Sequence, residues 1–234
     1  MIHQINYSIF GCFPEIACKT LWTENENFAP GKENAEKWFL SVLESEGAPA
    51  ENLARAEQIH GGNVEMVIHS GIARQCDGLI TDREDLNLLI RTADCAAVMV
   101  YDPVNKAVGN WHSGWRGTFD GIVGKGILRM IGEFGSNPAD FYVAVSPSAN
   151  SCCYEVGREF YDFFPAKYFR QENNRIFLNL PAIILDQLLE TGIPQEQIEL
   201  SGGCTFCSEY QLPSYRRTKT RNRLLNIISR KSTD

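Results

Sequence analysis

Five apolar runs of strand length follow one another in the middle of the chain: Val64–Ile68, Gly78–Thr81, Leu86–Arg91, Ala96–Tyr101 and Ala107–Trp111. A sixth, Phe141–Val145, comes after a single helical segment. Several are bounded by Gly, Asn or Asp-Pro, residues that end strands and start turns. Helical spacing of apolar residues appears at 31–46, after a loop with Pro30 and Gly31, where Trp38, Leu40, Val42 and Leu43 sit among Lys and Glu. It returns at Asp120–Phe134, Glu155–Phe164 and Pro181–Thr191, with Pro181 suited to a first turn. Because the strands cluster instead of alternating one for one with helices, an α+β arrangement is expected over a doubly wound parallel sheet.

With 234 residues and 44% hydrophobic content, the chain reads as a single domain over 1–234. No linker, charge block or repeat divides it. Met1-Ile-His-Gln-Ile-Asn lacks the basic and apolar regions of a secretory signal, so a cytoplasmic location is expected. The longest apolar stretch, Leu86 to Tyr101, is broken by Arg91 and Asp94 and is too short to span a bilayer. The eight cysteines are expected to be mostly reduced, since a chain of this size builds a core without disulfides. A net charge of −7 argues against a broad nucleic-acid surface and leaves room for a local basic pocket.

Three segments set reactive side chains beside glycines or at the end of an apolar run: Glu57-Gln-Ile-His60-Gly-Gly, Arg91-Thr-Ala-Asp94-Cys95 and Asn110-Trp-His112-Ser-Gly-Trp-Arg-Gly117. Taken singly, each is more simply a hydrogen-bonded histidine or a small buried cysteine. Taken together, two imidazoles and one thiolate suit zinc, and three protein ligands leave a fourth position open for water or substrate. Their spacing matches no zinc finger, so distant elements must bring His60, Cys95 and His112 together.

After His112, Gly114 and Gly117 permit close backbone approach, and Arg116 offers a planar fork for phosphate or carboxylate. Asp120 or Thr118 is a candidate cap for the next helix, whose free N–H groups would face the same anion. Five basic residues fall within 216–223, either a second anion clamp or a solvated basic face. Cys204-Thr-Phe-Cys207 has metal or redox spacing but no evident partner pair. Around Lys125 the phosphate-loop pattern fails, with Phe119 where the first Gly belongs and Gly126 in place of Ser or Thr. A G-x-G-x-x-G helix start is absent, and so is the cytidine-deaminase signature, because Gly203 precedes Cys204.

These segments, with Cys76-Asp-Gly-Leu-Ile-Thr, Ser146-Pro-Ser through Tyr154-Glu-Val-Gly157 and Ser214-Tyr-Arg-Arg217, resemble the YfiH-like laccase-domain proteins over roughly residues 55 to 228. That family has been reclassified as purine nucleoside phosphorylases with adenosine deaminase activity. The resemblance implies a mixed α/β sandwich with β layers flanked by helices, and zinc ligation by His60, Cys95 and His112. The chain departs from the family pattern at Ser8–Pro14, at Asn179 where an Asp is usual, and at Leu212-Pro213 where an aromatic pair is usual.

The activity so implied is phosphorolysis of adenosine, inosine, guanosine or methylthioadenosine to free base and ribose 1-phosphate, with zinc activating water for deamination. Residue chemistry suggests Arg116 with the Gly114–Gly117 backbone as the phosphate cradle, further charge from Arg216 or Arg217, and Asp94 as an orienting group. Three alternatives use the same residues. Cys95, activated by His112, would attack an amide. A copper centre would oxidise polyphenols, though few histidines remain to build an oxygen-reducing cluster. A closed structural site would take a fourth ligand from Cys76, Cys152 or Cys153.

Overall fold

The computed structural model describes residues 1–23 and 35–232. In chain order its main elements begin with β1 (Ile2–Asn6), β2 (Ile16–Thr23), α1 (Ala35–Ser45), β3 (Leu53–Ala56), β4 (Val64–Met66), β5 (Gly71–Ala73) and β6 (Gly78–Thr81). Next come β7 (Asn87–Thr92), β8 (Ala96–Asp102), β9 (Ala107–Ser113), α2 (Trp115–Phe119), α3 (Ile122–Phe134), β10 (Tyr142–Val145) and β11 (Glu155–Val156). The chain ends with β12 (Phe169–Glu172), β13 (Arg175–Leu178), α4 (Leu180–Glu190), β14 (Ile198–Leu200), α5 (Tyr215–Thr218) and β15 (Leu224–Arg230). Two six-stranded mixed sheets run in the orders β1-β2-β15-β7-β3-β5 and β14-β10-β8-β9-β6-β4, and β11-β13-β12 form a small third sheet.

Strand β8 shows why the layers stack. Ala97, Met99 and Tyr101 point into a core shared with Ala54, Leu88, Ile90 and Ile228 of the other sheet. Ala96, Val98 and Val100 point the opposite way, into a core with Ile127 and Met130 of α3 and Ile184 and Leu188 of α4. A strand buried on both faces reads as an unbroken apolar run, because neither half of its two-residue period faces water. Strand β7 repeats the pattern, with Leu89 turned away from the shared core to pack with Val42 and Leu43 of α1. The outcome is helix, sheet, sheet, helix: the α+β sandwich with flanking helices that was expected.

A polar seam crosses the interior. The Asn110 side-chain amide donates to the carbonyls of Leu88 and Asn226, and that of Asn226 donates to the Ile90 carbonyl. Thr20 in turn donates to Asn226 Oδ1. These bonds bind β9 to β7 and β15 at fixed register, since buried polar groups must be satisfied.

Two local expectations fail. Glu155–Phe164 is not an α-helix: it forms β11 and, after Gly157, a short 3₁₀ turn at Arg158–Asp162. There Phe160 and Phe163 pack their rings against Trp115, so spacing that suited a helix serves an aromatic cluster instead. Nor does Asp120 or Thr118 cap α3, whose N-cap is Gly121 at φ 75° without a side-chain bond. Thr118 spends its hydroxyl on the Gly114 carbonyl within α2. Asn179, in contrast, caps α4 by accepting from Ala182 N, a role open to Asn and Asp alike. The loop with Pro30 and Gly31 lies outside the described residues. Among the described residues no helix is long and apolar enough to cross a membrane.

Candidate metal centre

Three strand ends converge on one point. His112 ends the apolar stretch of β9, paired in register with Ala97 of β8, and Cys95 occupies the turn just before β8. His60 follows β3, in a loop held at φ 64°. Non-glycine residues pay for that left-handed geometry, and the surrounding bonds must enforce it. One donor atom each from His60, Cys95 and His112 lies within 4.8 Å of the others, as a single ion requires.

The enforcing residue is Asp77, fully buried before β6. Its Oδ1 accepts from His60 N at 2.9 Å, and its Oδ2 from Gly61 N at 2.7 Å and Ile59 N at 3.1 Å. Oδ1 also meets His112 Nδ1 at 2.8 Å. A carboxylate only accepts, so Nδ1 carries the proton and Nε2 is left for a ligand. Burial works against the Asp77 charge, yet the bonds to His112 and to the backbone of Gly61 and His60 hold its carboxyl below the usual range.

Cys95 is tuned likewise. Burial favours the neutral thiol, but the charge and hydrogen bonds of His112 and His60 bring it down to about 6. Burial also opposes the His112 cation, which the Cys95 charge and the Asp77 bond nonetheless raise to about 9. A thiolate and two nitrogen donors form a set that zinc accepts, with one coordination position open.

The centre lies in a cavity of about 890 Å³ with Arg91, Arg116, Arg175, Arg216, Lys219 and Arg223 on its walls. Arg175 is paired with Glu155 at 2.6 Å. Arg116 lies over the Trp115 ring at 4.3 Å, and Arg216 over Tyr154 at 4.4 Å while donating to the Glu155 carbonyl. The basic stretch 216–223 is therefore divided in its roles. Arg216, Lys219 and Arg223 line the cavity, whereas Arg217 turns away to the carbonyls of Phe206 and Leu212.

Asp94 also lines the cavity, at φ 83°, but its oxygens already accept from Thr205 Oγ1, Ser214 Oγ and Arg216 N. It fastens the segment that carries Arg216 to the turn that carries Cys95. Gly114 and Gly117 are used for packing. A Cβ on Gly114 would come within 2.8 Å of Cys95 Sγ, and one on Gly117 within 2.8 Å of the Gly61 carbonyl. Cys76 is no fourth ligand, since it is buried in the core between the sheets. Cys152 and Cys153 lie instead with Cys204 and Cys207, which overturns the expectation that the latter two lack a partner pair. The divergent Ser8–Pro14 segment packs elsewhere, with Ser8 and Ile9 bonded to Glu199 of β14.

Sequence reasoning gave no role to Asp77, Arg91, Tyr154 or Tyr215. Asp77 stands just before the strand-like run at 78–81, and Tyr154 and Tyr215 fall within motifs that carry the resemblance, but their place in the site emerges only when long-range folding brings these segments together.

A two-sheet sandwich that gathers His60, Cys95 and His112 at its strand ends defines the class. The chain belongs to the family described as multi-copper polyphenol oxidoreductase laccase, whose model matches residues 31–231. It is 38% identical over 152 residues to the purine nucleoside phosphorylase of Aquifex aeolicus, covering 65% of this chain and 69% of that one. The purine nucleoside phosphorylase YlmD of Geobacillus stearothermophilus is 32% identical over 202 residues, covering 78% and 74%. The crystal structure of that organism's YlmD superposes with a TM-score of 0.86 at 26% identity, over 94% of this chain and 93% of that one. Bacillus licheniformis YfiH gives 0.81 at 27% identity, over 92% and 93%.

Proposed function

We propose that this chain is a zinc-dependent purine nucleoside phosphorylase with adenosine deaminase activity. The observation that carries the reading is the union, in one cavity, of the His60–Cys95–His112 donor set, cationic side chains and aromatic rings. The names of the Aquifex and Geobacillus relatives support the phosphorolysis part of this reading.

In phosphorolysis an oxygen of phosphate bonds to the ribose C1′ as the C1′–N9 bond breaks. The bonding pair leaves with the purine, which takes up a proton, and the products are free base and ribose 1-phosphate. Positive charge grows on the ribose in the transition state, so an anion held against its face is stabilising. Arg116 and Arg216 are suited to hold phosphate through paired N–H donors, with Lys219 and Arg223 adding charge. Trp115, Tyr154, Phe206 and Tyr215 offer flat faces for the base. His60, Cys95 and His112 would hold zinc, and Asp77 would fix the His112 tautomer. When bound, zinc supplies Lewis acidity and, for deamination, an activated water at neutral pH. The chain's four histidines favour this over multicopper oxidation, because only His3 and His69 remain and His3 stacks on Trp22.

A second reading has its own support. Cys95, His112 and Asp77 form a nucleophile, base and orienting acid, an order suited to amide cleavage. The deciding experiment measures base release from adenosine and inosine by protein of known zinc content, with and without phosphate, beside Cys95→Ala. Phosphate-dependent release that vanishes in the variant supports phosphorolysis. Zinc at one ion in the His–Cys–His centre, without turnover of either nucleoside, defeats it and turns attention to amides.

A further inference from the structure

Away from the His60 centre, the Sγ atoms of Cys152, Cys153, Cys204 and Cys207 all lie within 4.8 Å of one another. We infer that these four thiols form a second zinc site, closed and structural, that fastens the loop before β11 to the loop before α5. Zinc bound by four sulfurs at about 2.3 Å in a tetrahedron sets them about 3.8 Å apart, a spacing that the 4.8 Å limit on this cluster accommodates. Cys152 and Cys207 stand at 3.5 Å, far beyond a disulfide bond. The group is too tight to surround a cluster of several irons and sulfides.

The backbone is shaped for the task. A parallel bridge joins Ser148 to Cys204, with Thr205 N donating to the Ser148 carbonyl at 3.0 Å. Cys204-Thr-Phe-Cys207 closes a turn in which Ser208 N reaches the Cys204 carbonyl at 3.0 Å. On the other side, Cys153 N and Tyr154 N both bond the Asn150 carbonyl, folding the adjacent cysteines back toward the first pair. Four thiolates around one divalent ion leave two negative charges. Arg217 stands close, bonded to the Phe206 carbonyl, and Arg170, itself paired with Glu172, bonds the Ser151 carbonyl. Each thiol that ligates gives its proton to solvent, and nothing is oxidised or reduced.

The consequence reaches the cavity. Tyr154 follows Cys153, and Phe206 lies between Cys204 and Cys207; both rings line the cavity. The second ion therefore holds one wall of the cavity in place, a wall to which Cys153 itself belongs. This inference stands whether or not the reaction is phosphorolysis.

The test is zinc content of the full chain, measured by mass spectrometry of the metal, for wild type, Cys95→Ala and a Cys204→Ser/Cys207→Ser double variant. About two ions are expected in wild type and about one in each variant. Should the double variant fail to fold, cobalt replaces zinc in wild type and Cys95→Ala. Strong thiolate-to-cobalt absorption that survives in Cys95→Ala upholds the site. A single ion in wild type that Cys95→Ala loses entirely, or a Cys152–Cys207 disulfide in the unreduced native protein, overturns it.

Discussion

His112 Nδ1 and Asp77 Oδ1 stand 2.8 Å apart, and the same carboxylate accepts the backbone N–H groups of Ile59, His60 and Gly61. One buried side chain thus orients one candidate ligand, His112, and shapes the loop that delivers another, His60. Carboxylate partners of ligating histidines also raise ligand basicity, so their removal weakens metal binding without removing a ligand.

Asp77→Asn retains the shape but loses the charge, and zinc affinity is expected to fall about 10- to 100-fold. Competition against a chromophoric chelator reads this directly. Asp77→Ala should also lower the unfolding midpoint, because the backbone donors lose their acceptor at a cost of about 1–3 kcal/mol for each that stays buried. Unchanged zinc affinity in both variants would show that Asp77 does not support the centre.

In metal-free protein the depressed Cys95 value has a visible sign. Above about pH 6 the thiol is ionised, and below about pH 9 His112 carries its proton, so an ion pair fills the window between. Alkylation of Cys95 by iodoacetamide, followed on its own peptide, should rise with a midpoint near 6 in place of the ordinary 9.0. In His112→Asn the cation is gone while burial remains, and the midpoint should move above 9. A wild-type midpoint at the ordinary value would refute the pair.

How far the sequence announced this site depended on distance along the chain. The strand β8 was legible because both its faces are buried, leaving an uninterrupted apolar run. The candidate metal donors His60, Cys95 and His112, which folding brings together, were legible through donor chemistry and the resemblance of their motifs. Strand β2 was not, since Cys18, Lys19 and Thr20 blur its period, and its partner β15 lies about two hundred residues away, as the Thr20–Asn226 bond shows. The cysteine cluster was hidden for the same reason: Cys204 and Cys207 have metal-like spacing, but their partners Cys152 and Cys153 lie about fifty residues away and meet them beside the Ser148–Cys204 bridge. Asp77 looked like any carboxylate before a glycine until folding surrounded it with donors.

Arg116 tests the proposed anion-binding wall of the cavity. Its guanidinium is exposed and lies over the Trp115 ring, so its removal costs a stacking contact at the surface. A hydrogen bond to a charged group contributes about 1.5–3 kcal/mol, so Arg116→Met should raise KM for phosphate about 10- to 100-fold. Arg129→Met, which removes an exposed pair with Glu133 on α3, should leave that KM unchanged. Equal effects from both would mean that general charge, and not the wall, attracts phosphate.

Gly117 tests the packing between helix and ligand loop. A Cβ there would meet the Gly61 carbonyl at 2.8 Å, closer than real Cβ contacts come, and the Gly61 N–H is bound to Asp77. Backbone on both sides leaves no flexible side chain to give way, so the 59–61 loop must shift and carry His60 with it. Misplacing one ligand of three weakens zinc more than it weakens the fold, whose cores lie elsewhere. Gly117→Ala should therefore lose zinc under mild chelation while its secondary structure by circular dichroism stays native. Gly124→Ala, in open space on the adjoining helix, should match wild type in both measurements or gain slightly in stability. If Gly117→Ala holds zinc as tightly as wild type, the close approach of α2 does not set the position of His60.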